Sequence, residues 1–126
     1  MMSARGNNKA LGAAFERQFC RILSSRGYWV HFISPSPSGG QPFDVIAVKD
    51  GVAYAFDCKT SIRKSFPYSR LEENQILAFE KWVKCGNTEP RIAVLYGDII
   101  YLVPYMELKE KGVVELEKGY SWCSVM

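Results

Sequence analysis

A segment of the chain between residues 41 and 59 contains a strong local folding signal, Asp50-Gly51 between two apolar runs. This dipeptide favours a two-residue β-hairpin, because a type I′ turn needs positive φ at both central positions. We therefore predict two antiparallel strands in which Lys49 faces Val52 and each further step keeps the pairing. The successive pairs are then Val48–Ala53, Ala47–Tyr54, Ile46–Ala55, Val45–Phe56 and Asp44–Asp57.

The last pair of this register places two carboxylates opposite each other. Directly opposed residues share a face, with Cβ atoms roughly 4.5–5.5 Å apart, and Lys59, two residues beyond Asp57, points to that same face. Like charges so placed destabilise a sheet, so the pair must share a proton, bind a cation or lie in water. A divalent metal is the obvious cation, since Mg²⁺ takes carboxylate, phosphate and water oxygens. The alternative is a pair of frayed strand-end acids with Lys59 as their surface counter-ion.

The apolar residues of the hairpin favour the metal site over that alternative. Both of its faces are apolar, which is typical of strands in the covered centre of a sheet. An acidic pair without a function is costly in such a place. One face carries Val45, Ala47, Tyr54 and Phe56, and the other carries Ile46, Val48, Ala53 and Ala55.

Length and composition indicate one folded domain. The chain has 126 residues, a normal size for a single core, and 48% of them are apolar. The longest apolar runs are too short to cross a bilayer, and the basic start lacks the apolar block of a secretory signal. We expect a cytoplasmic protein without a membrane partner. The cysteines are scattered without zinc-type spacing and are expected to be reduced: Cys20, Cys58, Cys85 and Cys123.

The distribution of charge, rather than the net charge of +3, points to nucleic acid. Basic residues dominate the first 26 positions, and the stretch from Lys59 to Arg70 contains no acid. Phosphate contacts supply much of the affinity for nucleic acid. Phe66 and Tyr68 in the second stretch either stack on bases or anchor an ordinary loop. The residues expected to contact DNA are Arg5, Lys9, Arg63, Lys64 and Arg70.

The remaining pattern predicts an α/β domain over residues 9–126 after a flexible, basic arm at residues 1–8. A first helix over 9–26 contains one acid, Glu16, which is either a solvated flank carboxylate or a site residue. A strand over 28–33 contains His31, which we interpret as a strand residue rather than a catalytic base. Residues 60–69 are predicted as a loop, and Ser69 and Glu72 as a capping box that opens a second helix over 70–85. A second hairpin over 91–103, a short helix and an edge strand over 113–116 follow.

This order of elements and motifs resembles the PD-(D/E)xK nuclease superfamily over about residues 5–105. The resemblance is closest to its Holliday junction resolvases, especially the bacterial RecU type and its phage relatives, and looser to the archaeal ones. Asp57 stands where the resolvases usually have Glu, Phe43 separates Pro42 from Asp44, and the RecU stalk insertion is absent. The residues that carry the resemblance are R5-G6, F15-E16, Q41-P42-F43-D44, F56-D57-C58-K59-T60-S61, S65-F66-P67, E73-N74-Q75 and L102-V103-P104.

The resemblance implies a restriction-endonuclease-like αβββαβ core with a mixed central sheet flanked by helices. It implies that Asp44, Asp57 and the backbone carbonyl of Cys58 bind Mg²⁺ or Mn²⁺, and that Glu16 joins them directly or through water. Lys59 would position the attacking water and Gln75 would support the site. The enzyme would be a homodimer that cuts four-way DNA junctions and leaves 5′-phosphate and 3′-hydroxyl ends.

Three functions are compatible with these residues. The leading interpretation is a metal-dependent junction resolvase acting in DNA recombination and repair. The second is a nuclease for other branched, flap or duplex DNA, and the third is a non-catalytic DNA-binding module of the same fold. The Asp44, Asp57 and Lys59 trio favours catalysis over the third.

Overall fold

A computed structural model describes the backbone of residues 4–34 and 41–126 and the side chains of residues 9–34 and 41–126. Three helices are present in the described residues: α1 (Ala4–Ser25), α2 (Glu73–Lys84) and α3 (Tyr105–Lys111). The strands are β1 (Trp29–Phe32), β2 (Val45–Lys49), β3 (Val52–Ser61), β4 (Ser65–Pro67), β5 (Arg91–Tyr96), β6 (Ile99–Pro104), β7 (Val113–Glu115) and β8 (Ser121–Ser124).

Six of the strands form one mixed sheet in the order β1-β2-β3-β5-β6-β8. β3 and β5 are parallel because the chain crosses between them through α2, whereas the other neighbours are antiparallel. β4 and β7 form a separate two-stranded sheet. The prediction of a single α/β domain with a mixed central sheet flanked by helices is confirmed. None of the helices in the described residues is long and apolar enough to span a membrane.

The β2–β3 hairpin has the predicted turn and register. Asp50 and Gly51 have φ angles of 53° and 77°, as a type I′ turn requires. The ladder runs from Lys49–Val52 to Val45–Phe56 without a slip. This register matters for function because a shift of one residue would move every side chain to the opposite face.

The sheet is covered on both faces, and its two hydrophobic clusters hold the hairpin from both sides. On one face the α1 residues Phe15, Phe19 and Leu23 pack in a cluster with Val45 and Phe56. On the other face, residues of α2 and α3 such as Phe79 and Leu108 share a cluster with Ala55. The hairpin therefore has covered residues on both faces, as its apolar pattern predicts.

Several predicted boundaries differ from the structure. α1 begins at Ala4 and so includes residues 4–8, which the sequence pattern assigned to the arm, because apolar periodicity marks only the part of a helix that packs. Residues 60–69 are not one loop: β3 continues to Ser61, and β4 follows. The capping box lies at Glu72 and Gln75, not at Ser69 and Glu72. β8 was not predicted, because its four residues are too few to show an alternating pattern.

Candidate active site

The start of β2 brings the two carboxylates Asp44 and Asp57 together in the protein interior. Asp44 is 6% exposed and Asp57 is fully buried. Asp44 Oδ2 accepts a hydrogen bond of 2.8 Å from the backbone amide of Cys58. The Asp44 amide donates to Phe56 O at 3.1 Å. The ladder ends at Val45–Phe56, and the predicted Asp44–Asp57 pair lies just beyond it. The two acids are neighbours although they are not a ladder pair.

Lys59 and Gln75 complete a closed polar network with Asp57. Asp57 Oδ1 accepts from Gln75 Nε2 at 3.0 Å, and Lys59 Nζ lies 3.2 Å from Asp57 Oδ2. Lys59 Nζ also donates to Gln75 Oε1 at 3.2 Å. The side chain of Lys59 is only 14% exposed. Its ammonium is therefore held in one place, as a group that orients a reactant must be.

The first turn of α2 is fixed to the same network. Gln75 Oε1 accepts a second hydrogen bond, of 2.9 Å, from the backbone amide of Glu72, which is the N-cap of the helix. Asn74 Nδ2 donates to Gln41 O at 2.6 Å and so ties the helix to the segment before Asp44. Glu72 and Asn74 were not singled out from the sequence as site residues. The sequence feature that could have identified them is the start of the second helix, which was predicted three residues too early.

These side chains line one depression, which we call the acidic cleft. Its walls come from α1, the 41–44 segment, β3 and the start of α2. It is lined by Glu16, Gln41, Asp44, Cys58, Lys59, Glu72, Asn74 and Gln75. Four of the five predicted catalytic residues, with Asp57 beneath, thus line a single concave surface.

Burial and a neighbouring carboxylate disfavour the ionised form of Asp57. Burial, and the negative charge of Asp44 beside it, raise the pKa of Asp57 well above its usual range, and Lys59 only partly opposes them. Asp57 Oδ2 receives no hydrogen bond of good geometry from the described residues, although Lys59 is close. A buried carboxylate oxygen whose close donor, Lys59, is poorly aligned, next to a second carboxylate, suits a hard divalent cation such as Mg²⁺ or Mn²⁺.

The structure limits how Glu16 and Cys58 could bind a metal ion. In the part of the chain whose side chains are described, no three His, Cys, Asp or Glu side chains are close enough to hold one ion. Glu16, Asp44 and Asp57 therefore do not form a three-carboxylate site in the described residues. Burial raises the pKa of the Cys58 thiol, and Asp44 raises it further. Because the thiolate is the form that binds metals, Cys58 would offer its backbone carbonyl oxygen instead.

The residues predicted to contact DNA differ in the contacts that their side chains make. Lys9, Arg63 and Lys64 are exposed, while the side chain of Arg5 lies outside the described residues. Arg70 is exposed, but its guanidinium donates to Thr60 O at 2.9 Å and lies over the Phe66 ring. Phe66 is fully buried, so it anchors the chain and does not stack on bases.

His31 is exposed on β1, where its ring stacks on Trp29. It does not line the acidic cleft. Its interpretation as a strand residue is confirmed.

Glu16→Gln is expected to remove part of the pH dependence of stability. Burial, and then the charge of Asp44, raise the pKa of Glu16 from 4.5 to about 7. The folded state therefore holds this proton more tightly than the unfolded state, and stability falls as pH rises from about 4.5 to about 7. In EDTA, thermal unfolding should show the variant more stable than the parent at pH 8, by about 1 kcal/mol after screening, and equal at pH 4. Glu110→Gln, the same change at an exposed residue of α3 outside the acidic cleft, is the control. Equal stability of Glu16→Gln and the parent at pH 8 would contradict the assignment.

The mixed sheet with an Asp, Asp and Lys cleft defines a nuclease of the PD-(D/E)xK class. The family model "Archaeal holliday junction resolvase (hjc)" matches residues 7–120, and the chain belongs to this family. The crossover junction endodeoxyribonuclease Hjc of Methanocaldococcus jannaschii is 25% identical over 96 residues, which are 75% of this chain and 67% of that protein. The particular resemblance to the RecU type stays a prediction.

A solved structure supports the fold independently. Hjc of Archaeoglobus fulgidus, a Holliday junction resolvase from an archaeal hyperthermophile, superposes with a TM-score of 0.60 at 16% identity. The match covers 75% of this chain and 73% of that chain. At 16% identity, the match is evidence for a shared fold.

Proposed function

We propose that this protein is a metal-dependent Holliday junction resolvase, an endonuclease that hydrolyses phosphodiester bonds in four-way DNA junctions. The observation that carries the proposal is the convergence of Asp44, Asp57 and Lys59 in one cleft of a chain from the archaeal resolvase family. The Methanocaldococcus relative bears the name of this activity. Exposed cations next to β3 supply charge for the DNA backbone.

The oxygens available in the acidic cleft suggest how Mg²⁺ or Mn²⁺ would be held. Asp44 and Asp57 would provide carboxylate ligands and Cys58 its backbone carbonyl, with Glu16 contributing through water. When bound, the metal neutralises charge on the scissile phosphate and lowers the pKa of a bound water. The raised pKa of Asp57 fits this role, because a cation in the cleft would favour its ionised form.

The protein's own groups account for the remaining chemistry. The Lys59 ammonium, held by Asp57 and Gln75, can orient the attacking water and stabilise charge that develops on the phosphate. Gln75 supports the site by fixing both of these groups at once. Lys9, Arg63 and Lys64 would contact phosphates on either side of the cut, with Arg5 as a further contact. Cleavage on the 3′-oxygen side of the phosphate would leave 5′-phosphate and 3′-hydroxyl ends.

A junction needs two symmetric cuts, and one acidic cleft serves one strand. We therefore include a homodimer in the proposal, with one cleft on each of two opposed strands. A two-fold dimer matches the two-fold symmetry of a four-way junction. Sedimentation analysis of the protein alone and with a junction tests this part.

The decisive experiment is incubation of the protein with a labelled four-way junction in Mg²⁺, with Mn²⁺ and EDTA arms. Paired, symmetric nicks that a DNA ligase can seal are expected, because ligation requires 5′-phosphate and 3′-hydroxyl ends. Flap, three-way and linear duplex substrates of the same sequence are the controls. Equal cutting of these would indicate a general branched or duplex DNA nuclease. Tight binding without cutting in either metal would indicate a binding module.

A further inference from the structure

The connection between β3 and β4 presents an isoleucine to solvent on a well-fixed turn. Ile62 is 92% exposed, although it is a large apolar residue. Ser61 Oγ donates to Arg63 O at 2.7 Å and accepts from Arg63 N at 3.1 Å, which closes the turn beneath Ile62. Lys64 O accepts from Leu116 N at 2.8 Å. We call residues 61–64 the Ile62 tip.

The surroundings of Ile62 distinguish it from an ordinary exposed apolar residue, which alone needs no explanation. Its neighbours Arg63 and Lys64 are exposed, and within the described residues their side chains form no ion pair. Two concave surfaces meet at Ile62. One reaches Leu11 and Leu95, the other reaches Pro67, and both include Arg70. Ile62 is thus a ridge between two grooves, flanked by cations.

We propose that the Ile62 tip is a wedge that inserts between base pairs at the branch point of a DNA junction. This inference rests on the proposed function and adds a specificity-determining residue to it. Apolar side chains that enter a base step unstack it and bend the duplex, and the bend is offset by added backbone contacts. Arg63 and Lys64 would make those contacts with the phosphates beside the opened step. The branch point is the place where stacking is already interrupted, so insertion there requires the least unstacking.

The position of the tip relates the wedge to the cut. Ile62 follows Lys59 by three residues, and Lys59 is in β3. At about 3.3 Å per extended residue, their Cα atoms are roughly 10 Å apart or less. With phosphates spaced about 3.4 Å along the helix axis, this distance corresponds to about three nucleotides. Because the tip follows the cleft so closely along the chain, we expect the cut to fall a few nucleotides from the branch point.

The test uses full-length Ile62→Ala, Ile62→Phe and, as a matched control, Met106→Ala, an exposed apolar residue of α3. The probe is a four-way junction with 2-aminopurine at the branch point, whose fluorescence rises on unstacking. We expect the parent and Ile62→Phe to raise the signal. Ile62→Ala should lose most of it, bind the junction about tenfold more weakly and cut at scattered positions, while its affinity for linear duplex is unchanged.

The outcomes separate this inference from the proposed function. If the parent cuts junctions and Ile62→Ala matches it in fluorescence, affinity and cut position, the wedge is rejected and the resolvase stands. If Ile62→Ala instead changes only the sedimentation of the free protein, the tip belongs to an interface between copies and the wedge is also rejected. If the parent neither cuts nor binds DNA, the proposed function fails, and the wedge fails with it. Thermal unfolding of the two Ile62 variants should coincide with that of the parent, because Ile62 is exposed.

Discussion

Replacing Lys59 with alanine, or Asp57 with asparagine, is expected to reduce junction cleavage in Mg²⁺ by about a thousandfold or more. Lys59 Nζ is held within 3.2 Å of both Asp57 and Gln75. Among the described residues that line the acidic cleft, it is the only basic one. Asp57→Asn removes a charged oxygen that would hold the metal. Single-turnover cleavage with saturating protein measures the chemical step apart from binding.

Both variants should retain junction binding, which separates catalysis from recognition. The affinity depends mainly on exposed cations that neither variant changes. Lys81→Ala and Asp98→Asn are matched controls, because Lys81 is an exposed lysine of α2 and Asp98 belongs to the β5–β6 turn. Both controls should cut at the parent rate. Full activity of Lys59→Ala or Asp57→Asn would reject the acidic cleft as the catalytic centre.

Asp57→Asn also has a stability signature that a merely damaged fold would not give. The pKa of Asp57 is raised by burial, so the ionised carboxyl destabilises the folded state at pH 8, and stability falls as pH rises above the unfolded value. The neutral amide should therefore make the protein in EDTA as stable as the parent or more stable, by about 1 kcal/mol, or roughly 4 °C in Tm. Mg²⁺ should raise Tm of the parent but not of the variant.

The central hairpin was predictable because its determinants are local. Asp50-Gly51 specifies the turn, the turn specifies the register, and the register brings Asp44, Asp57 and Lys59 to one face. The elements that were mispredicted depend on distant partners. β4 is a three-residue strand that exists only because it pairs with β7, and β8 only because it pairs with β6. Neither segment has an alternating pattern of its own.

The same distinction applies to the site. The supporting role of Gln75 came from the resemblance, since its position relative to Asp57 depends on where α2 begins. Ser69 and Glu72 match the spacing of a capping box, but the box forms three residues later, where Gln75 can serve the helix and the cleft together. The half-buried position of Glu16 depends on how α1 packs on the sheet, which periodicity predicts only coarsely.

Gln75→Leu is expected to destabilise the protein and to slow cleavage together, because one amide links the helix start to the site. Its Nε2 donates to Asp57, and its Oε1 accepts from the Glu72 amide and from Lys59. Leucine fills a similar volume but leaves these three groups without their partner. At about 1 kcal/mol for each buried hydrogen bond, the loss should be about 2–3 kcal/mol, measured by urea unfolding in EDTA.

A second variant separates the positioning role of Gln75 from its contribution to stability. Gln75→Glu keeps acceptors for the Glu72 amide and for Lys59, but it places a carboxyl oxygen where Nε2 donated to Asp57. The added carboxyl should slow cleavage more as pH rises, because its ionised form repels Asp57, and urea unfolding should show a smaller loss of stability at pH 5 than at pH 8. Gln18→Leu, on α1 and outside the acidic cleft, is the matched control. If Gln75→Leu loses stability but both Gln75 variants cut at the parent rate over this range, Gln75 caps α2 and has no part in placing Lys59.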